Sequence, residues 1–260
     1  MKPLFSNTGL KTFDRFLKQE CLLAFDFDGT LVPIVANPDD AHLQPSIFRL
    51  LQEITRRFKV AVISGRSLLD LKYRVRLQNV QCVGNHGAEG IARNETEVKM
   101  IRESCDRWAN GLETALRNEN FRGVFLEKKG LSLSFHYRHA IDQSGIRESL
   151  FQLLSCLSPR PRIVAGHEVW NVVHPQAPNK GQALLQLLRT HALDHAIYIG
   201  DDETDEDVFS LQSDQILGIR VGYSYSSQAL YSMDSVHDVA KILQRILKLG
   251  KPLQEGVHFG

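Results

Sequence analysis

Three continuous apolar runs punctuate the first third of the chain: residues 21–27, "KVAVISG" from 59 and "VQCVGNHG" from 80. Runs this short, without polar alternation, predict strands buried on both faces. Between them the period lengthens. In "DAHLQPSIFRLLQEITRRF", Leu43, Ile47, Leu50, Leu51 and Ile54 recur at helical spacing. "RSLLDLKYRV" predicts a second helix, with Ser67 and Asp70 set as a capping box. Strand, helix, strand, helix, strand predicts a parallel sheet covered on both sides.

The pattern then changes. "NETEVKMIRESCDRWANGLETALRN" predicts one long amphipathic helix, whose Met100, Ile101, Trp108 and Leu112 read as local core. "VFLEKKG" and "LSLSFHYR" predict a hairpin, because Leu131, Leu133 and Phe135 alternate with Ser132, Ser134 and His136. That period of two predicts an antiparallel sheet with one wet face. A helix near 142–156 and strands over "PRIVAGHE" and "VWNVVHP" follow. After "HPQAPNKG" the first pattern returns. A helix carries Ala183, Leu184, Leu187 and Leu188 on one face, and "HAIYIGDD" is an apolar strand ending in two acids. Thr204 and Asp207 are set to cap a next helix, "ILGIRVG" is a strand, and a last helix from Ser235–Asp238 stops at Gly250. The expected fold class is therefore α/β. A Rossmann-like, doubly wound parallel sheet forms a discontinuous core (1–87 and 177–260), and an α+β cap is inserted at 88–176.

Composition narrows the function. A chain of 260 residues, 43% hydrophobic, is long enough for a sizeable core plus an insertion. A net charge of +1 offers no polyanion-binding surface, which argues against nucleic acid as a partner. The N-terminal segment lacks a signal-type apolar stretch, and nothing in the chain suggests a membrane span. Cys21, Cys82, Cys105 and Cys156 lie far apart without a CxxC pair. They read as reduced core thiols of a cytoplasmic protein.

Three of the strands end in polar groups: Asp26 and Asp28, then Ser64, then Asp201 and Asp202. Ligands of open α/β sheets bind at the carboxyl ends of strands, so the fold gathers these acids in one crevice. Such a cluster needs a cation, and hard oxygen donors beside a phosphate suit Mg²⁺. Lys180, at a helix start, adds a positive charge and free N–H groups for an anion. The Ser64 and Thr30 hydroxyls and the Gly65 backbone are further donors for phosphate oxygens. Taken singly, each feature has a plainer reading: Asp-Gly as a turn, Lys180 as a solvated helix start, "DDETDED" as an acidic helix start.

Together, "DFDGT", "ISG", the lysine before a helix and "GDDETD" resemble the four ordered motifs of the haloacid dehalogenase superfamily, phosphatase branch. The resemblance implies that Asp26 is the nucleophile and Asp28 the general acid and base. It implies that Ser64 and Lys180 hold the phosphoryl group. Asp26, the Asp28 carbonyl and Asp201 would bind Mg²⁺, with Asp202 and Asp205 completing or orienting the metal shell. "FDGTLVPI", "ISGR", "GNHGAE", "EKKGLSLSFHYR" and "IGDDETDEDVF" further resemble the trehalose-6-phosphate phosphatase family. That likeness implies a sugar-phosphate substrate, with Glu127 and Lys129 on sugar hydroxyls, Asn85 and His86 at the site's mouth, Arg66 near the acids and Arg138 in the cap. One departure stands out. Val172 occupies the place where the family carries a sugar-gripping glutamate, Asn171 is expected on the opposite face, and His174 replaces a basic residue. Alternatives are therefore another glycosyl phosphate (glucosyl- or mannosyl-3-phosphoglycerate, sucrose 6-phosphate), a phosphohexomutase, or a non-catalytic sugar-phosphate sensor. Oligomeric state is not legible.

Overall fold

The computed structural model describes residues 1–166, 168–211 and 213–249. The chain divides into two compact units, one from Met1–Gly90 and the chain from Asn179 onward, the other Ile91–Pro178.

The first unit is a seven-stranded parallel sheet. In chain order its elements are β1 (Lys2–Pro3), α1 (Asn7–Leu17), β2 (Cys21–Phe25), α2 (Pro45–Ile54), β3 (Lys59–Ile63), α3 (Leu68–Val75) and β4 (Val80–Val83). The second unit follows with α4 (Glu95–Leu116), β5 (Phe125–Lys128), β6 (Ser132–His136), α5 (Gln143–Ser155), β7 (Arg162–Gly166) and β8 (Val169–Val173). The first unit then resumes with α6 (Lys180–Thr190), β9 (His195–Gly200), α7 (Glu206–Phe209), β10 (Ile216–Val221), β11 (Tyr231–Met233) and α8 (Val236–Leu249). Gly250, the expected helix stop, lies outside the described residues.

The strand order β1-β11-β10-β9-β2-β3-β4 puts β2 and β9 side by side at the centre. Alternation then sorts their side chains. Leu23, Phe25, Ile197, Ile199, Leu217 and Ile219 join Phe13, Leu51, Ile242 and Leu243 of α1, α2 and α8 in one apolar cluster. Leu22, Ala24, Ala196 and Tyr198 are just as buried but face the other way. There the Phe209 ring of α7 lies 5.9 Å from that of Tyr198. This two-sided burial is why the strands read as continuous apolar runs.

One element was not predicted and two expectations are corrected. The N-terminal helix α1 is capped by Ser6, with Phe13, Phe16 and Leu17 as its buried stripe. The segment after β9 is capped by Asp202, not Thr204, because the Asp202 side chain accepts from the Glu203 N–H. Cys156 is exposed rather than a core thiol, whereas Cys21, Cys82 and Cys105 are buried and free.

In the second unit the antiparallel order is β5-β6-β8-β7. Its helix-covered face carries Leu133, Phe135, Trp170 and Val172. Trp170 Nε1 donates to the Arg147 carbonyl of α5, and His174 stacks on Trp108 of α4 at 5.9 Å. The other face, expected to be wet, buries its serines: Ser132 and Ser134 are both buried, and Ser134 Oγ donates to Asn171 Oδ1 at 2.6 Å.

Phe135 is fully buried in this sheet. Phe135→Ala is expected to cost the second unit about 3–4 kcal/mol through lost burial and the cavity left behind. Urea unfolding followed by tryptophan fluorescence reads this unit alone, because both tryptophans, Trp108 and Trp170, lie in it.

Candidate active site

The site forms where β2, β3 and β9 end. Asp26 follows β2 directly, and its N–H donates to the Ile199 carbonyl of β9 at 2.8 Å, so the sheet pairing itself places it. The turn beyond closes through Leu31 and Val32 N–H donating to the Phe27 carbonyl. Gly29 makes this turn possible at φ +85°, where a Cβ would stand 2.0 Å from an Asp201 carboxylate oxygen. Asp201 is thereby held against the turn, and Thr30 Oγ1 donates to its Oδ1 at 2.7 Å.

Lys180 is the first residue of α6, after an Asn179–Gln182 capping box that orients the helix. Its side chain is fully buried, and Nζ donates to Asp26 Oδ1 at 2.8 Å and to Asp205 Oδ1 at 2.7 Å. Asp205 is saturated. Oδ1 also accepts from Tyr198 Oη, and Oδ2 accepts from the N–H groups of Asp201 and Asp202 at 2.8 and 2.9 Å. Four donors fill the four lone-pair directions of a carboxylate.

The electrostatics follow from burial. Asp26 is held well above the usual carboxylate range by burial, with Asp205 and Asp201 adding to the rise and Lys180 opposing it. Burial, reinforced by Asp205, raises Asp201 from its ordinary 3.8 to about 7. Burial alone would strip the Lys180 proton, but Asp205 and Asp26 outweigh it, so the ammonium is held well above the ordinary lysine range. Asp26, Asp201 and Asp205 bring carboxylate oxygens within 4.8 Å of one another. Three carboxylates against one ammonium leave a deficit of two positive charges. A divalent cation with oxygen ligands fits that deficit.

The remaining predicted residues divide. Asp28 is only partly buried, and Arg66 grips it in a two-point fork, Nε to Oδ2 and Nη2 to Oδ1, both 2.7 Å. Arg66 also donates to Asp70 Oδ2 at 2.8 Å and to the Pro38 carbonyl. Arg66 therefore holds the general-acid candidate. Ser64 is buried; its Oγ accepts from the Arg66 N–H, leaving the hydroxyl proton to donate elsewhere. Asn85 and His86 both adopt left-handed backbone, φ 48° and 57°, and His86 packs on Gly65, where a Cβ would meet its ring at 2.5 Å. The Thr30 hydroxyl donates to Asp201 and orients that carboxylate. The Asp202 side chain caps the turn after β9. Asp205, although engaged by four donors, is one of the three carboxylates whose oxygens cluster within 4.8 Å.

Glu127, Lys129 and Arg138 lie in the second unit. Glu127 Oε2 accepts from His136 Nε2 at 2.9 Å and pairs with Lys129 at 3.6 Å. Although burial opposes it, these two partners hold the Glu127 carboxyl below its usual range. Arg138 is paired with Glu168 at 2.9 Å. The pairing corrects the reading of β8. Ser134 stands opposite both Glu127 and Asn171, so Asn171 shares the row of Glu127. Val172, opposite Leu133, is on the helix-covered face. Tyr198 was missed altogether. Its signal was a lone polar-tipped ring in an aliphatic strand, two residues before Gly200 and so on the same face.

A doubly wound parallel sheet with Asp26 directly after β2, and a buried lysine and two further carboxylates beside it, is the arrangement of the haloacid dehalogenase superfamily, to which the trehalose-phosphatase family belongs. A family model described as trehalose-phosphatase matches residues 24–240, and the chain belongs to that family. It is 29% identical to the trehalose-phosphate phosphatase of Mycobacterium tuberculosis, over 90% of this chain and 63% of that protein. It is 26% identical to probable trehalose-phosphate phosphatase I of Arabidopsis thaliana, over 93% and 72%. The chain thus spans less than two thirds of the mycobacterial relative. Among solved structures, the C-terminal domain of Candida albicans trehalose-6-phosphate phosphatase shares the fold. It has a TM-score of 0.73 and 21% identity, covering 95% of this chain and 98% of that one. A trehalose-6-phosphate phosphatase related protein does likewise, with a TM-score of 0.72 and 24% identity over 88% and 97%.

The raised Asp201 predicts a stability slope in the metal-free protein. A carboxyl whose pKa is higher folded than unfolded keeps a proton in the native state that the unfolded chain has lost. Between pH 3.8 and about 7, stability therefore falls as pH rises. We expect a loss on the order of 2 kcal/mol across that window in urea titrations, reversed by millimolar Mg²⁺ near pH 7.

Proposed function

We propose that this chain is a Mg²⁺-dependent phosphomonoesterase that hydrolyses trehalose 6-phosphate to trehalose and inorganic phosphate. The observation that carries the chemistry is the Lys180 ammonium shared between Asp26 and Asp205, with Asp201 alongside. Family membership and the names of the relatives support the substrate.

In the reaction, the Asp26 oxygen not bonded to Lys180 attacks phosphorus. The ester P–O bond breaks, and the leaving sugar oxygen takes a proton from Asp28, giving an aspartyl-phosphate. Asp28 then removes a proton from water, whose oxygen attacks phosphorus and expels the Asp26 carboxylate. Lys180 and the Ser64 hydroxyl offset charge on the phosphoryl oxygens. To serve as the acid, Asp28 takes up a proton and leaves Arg66, whose cation stays balanced by Asp70. Asp26, Asp201 and the Asp28 carbonyl would hold Mg²⁺, which when bound supplies the missing positive charge beside the phosphoryl group. We assign sugar-hydroxyl recognition to the second unit, through Glu127, Lys129 and Asn171. Free buried thiols favour a cytoplasmic protein, and no described helix is long and apolar enough to cross a membrane.

Phosphate release from trehalose 6-phosphate should require Mg²⁺ and fall at least about 1,000-fold in Asp26→Asn. Asp28→Asn should lose about 10²–10⁴-fold with this poor leaving group and far less with p-nitrophenyl phosphate, which needs little protonation. Asn171→Ala and Glu127→Ala should raise KM for trehalose 6-phosphate about 10-fold while leaving p-nitrophenyl phosphate kinetics alone. Release from sucrose 6-phosphate or glucosyl-3-phosphoglycerate in preference to trehalose 6-phosphate would replace the substrate. No release from any sugar phosphate would sink the reading.

A further inference from the structure

We infer that Tyr198 is a positioning residue for the nucleophile, acting through Asp205 on Lys180. β9 is otherwise built of aliphatic side chains, glycine and a half-buried histidine at its entry. Tyr198 is fully buried on the face toward α7, packed on Phe209, where a phenylalanine would fill the same space. A buried phenol needs a hydrogen-bond partner, and here the partner is Asp205 Oδ1 at 2.5 Å. That is the same oxygen that holds Lys180 Nζ.

The placement matters because two carboxylates compete for one ammonium. Lys180 lies 2.8 Å from the nucleophile Asp26 and 2.7 Å from the anchor Asp205. Asp205 Oδ2 is already engaged by two backbone N–H groups. Without the Tyr198 hydroxyl, Oδ1 would direct its full charge at Lys180, in a dry setting where such attraction is strong. The hydroxyl takes part of that charge and leaves the ammonium shared with Asp26. It also fills the last lone pair of Asp205, keeping that carboxylate an anchor. The Tyr198 hydroxyl bonds to Asp205, the carboxylate that shares Lys180 with Asp26, so it acts at second hand.

The test is a double-mutant cycle. The inference rests on the phosphatase reading only for its kinetic arm. In Tyr198→Phe, kcat for trehalose 6-phosphate should fall about 10-fold with KM within two-fold, the size expected for one charge-assisted hydrogen bond. In an Asp205→Asn background the same change should cost less than two-fold. Phe209→Leu, which loosens the same face without touching Asp205, should lower Tm and leave kcat unchanged. In metal-free protein, Tyr198→Phe should lower Tm by about 3 °C, and by much less with Asp205→Asn. Lys180→Met serves as the background for the thermal cycle if Asp205→Asn does not fold. An unchanged kcat, a full 10-fold loss repeated in Asp205→Asn, or additive Tm shifts would each overturn the role. A parent that releases no phosphate would overturn the phosphatase reading instead, and the thermal cycle would still decide Tyr198.

Discussion

The first unit is organised around one buried ammonium. Lys180 stands between the carboxylates of Asp26 and Asp205, with all three side chains almost without solvent. Burying three charges is costly, and only close pairing with filled hydrogen bonds makes it tolerable. That demand sets much of the surrounding structure. α6 must begin at the carboxyl edge of the sheet, so a capping box secures its first turn. Gly200 must lack a side chain, because a Cβ there would meet the Asp205 carboxyl at 2.3 Å. Gly29 must lack one to let the turn pass Asp201. The strand-helix pairs after Asn179 belong to the same unit as the first because β9 pairs with β2 in the sheet, and the lysine adds an ion pair from α6 to the end of β2 and to the segment after β9.

Five aspartates within this small volume take different roles, and the partner decides each one. Asp26 shares Lys180 through Oδ1. Asp28 is tied to Arg66. Asp201 is oriented by Thr30 and carries a strongly raised pKa. Asp205 is saturated and serves as an anchor. Asp202 caps a turn. Asp26, Asp201 and Asp205 against the one ammonium of Lys180 are short of two positive charges, a deficit that a divalent cation with oxygen ligands fits.

The second unit shows how one residue of register changes a functional reading. Counting back from Pro175 puts Val172 at the sugar-gripping position. Counting across the sheet puts Asn171 in the row of Glu127, with Ser134 between them. Adjacent strand residues face opposite ways, so the two counts name residues on opposite faces. On that row the amide of Asn171 stands beside Ser134, which donates to its Oδ1, and Glu127.

From sequence alone, the continuous apolar runs determined a two-sided parallel sheet, the alternation after Leu131 determined an antiparallel insertion, and the order of Asp26, Ser64, Lys180 and Asp201 carried the resemblance to a phosphatase family. Those features are local: a period, or a residue type at a strand end. Tertiary structure decided what depends on partners distant in the chain. Arg66 joins Asp28 across 38 residues, Lys180 joins Asp26 across 154, and Thr30 joins Asp201 across 171. No spacing encodes whether a carboxylate's lone pairs are free or filled. That is why the four hydrogen bonds to Asp205 and the turn cap made by Asp202 were not legible in the sequence, and why Tyr198 showed only as one more residue of a buried strand.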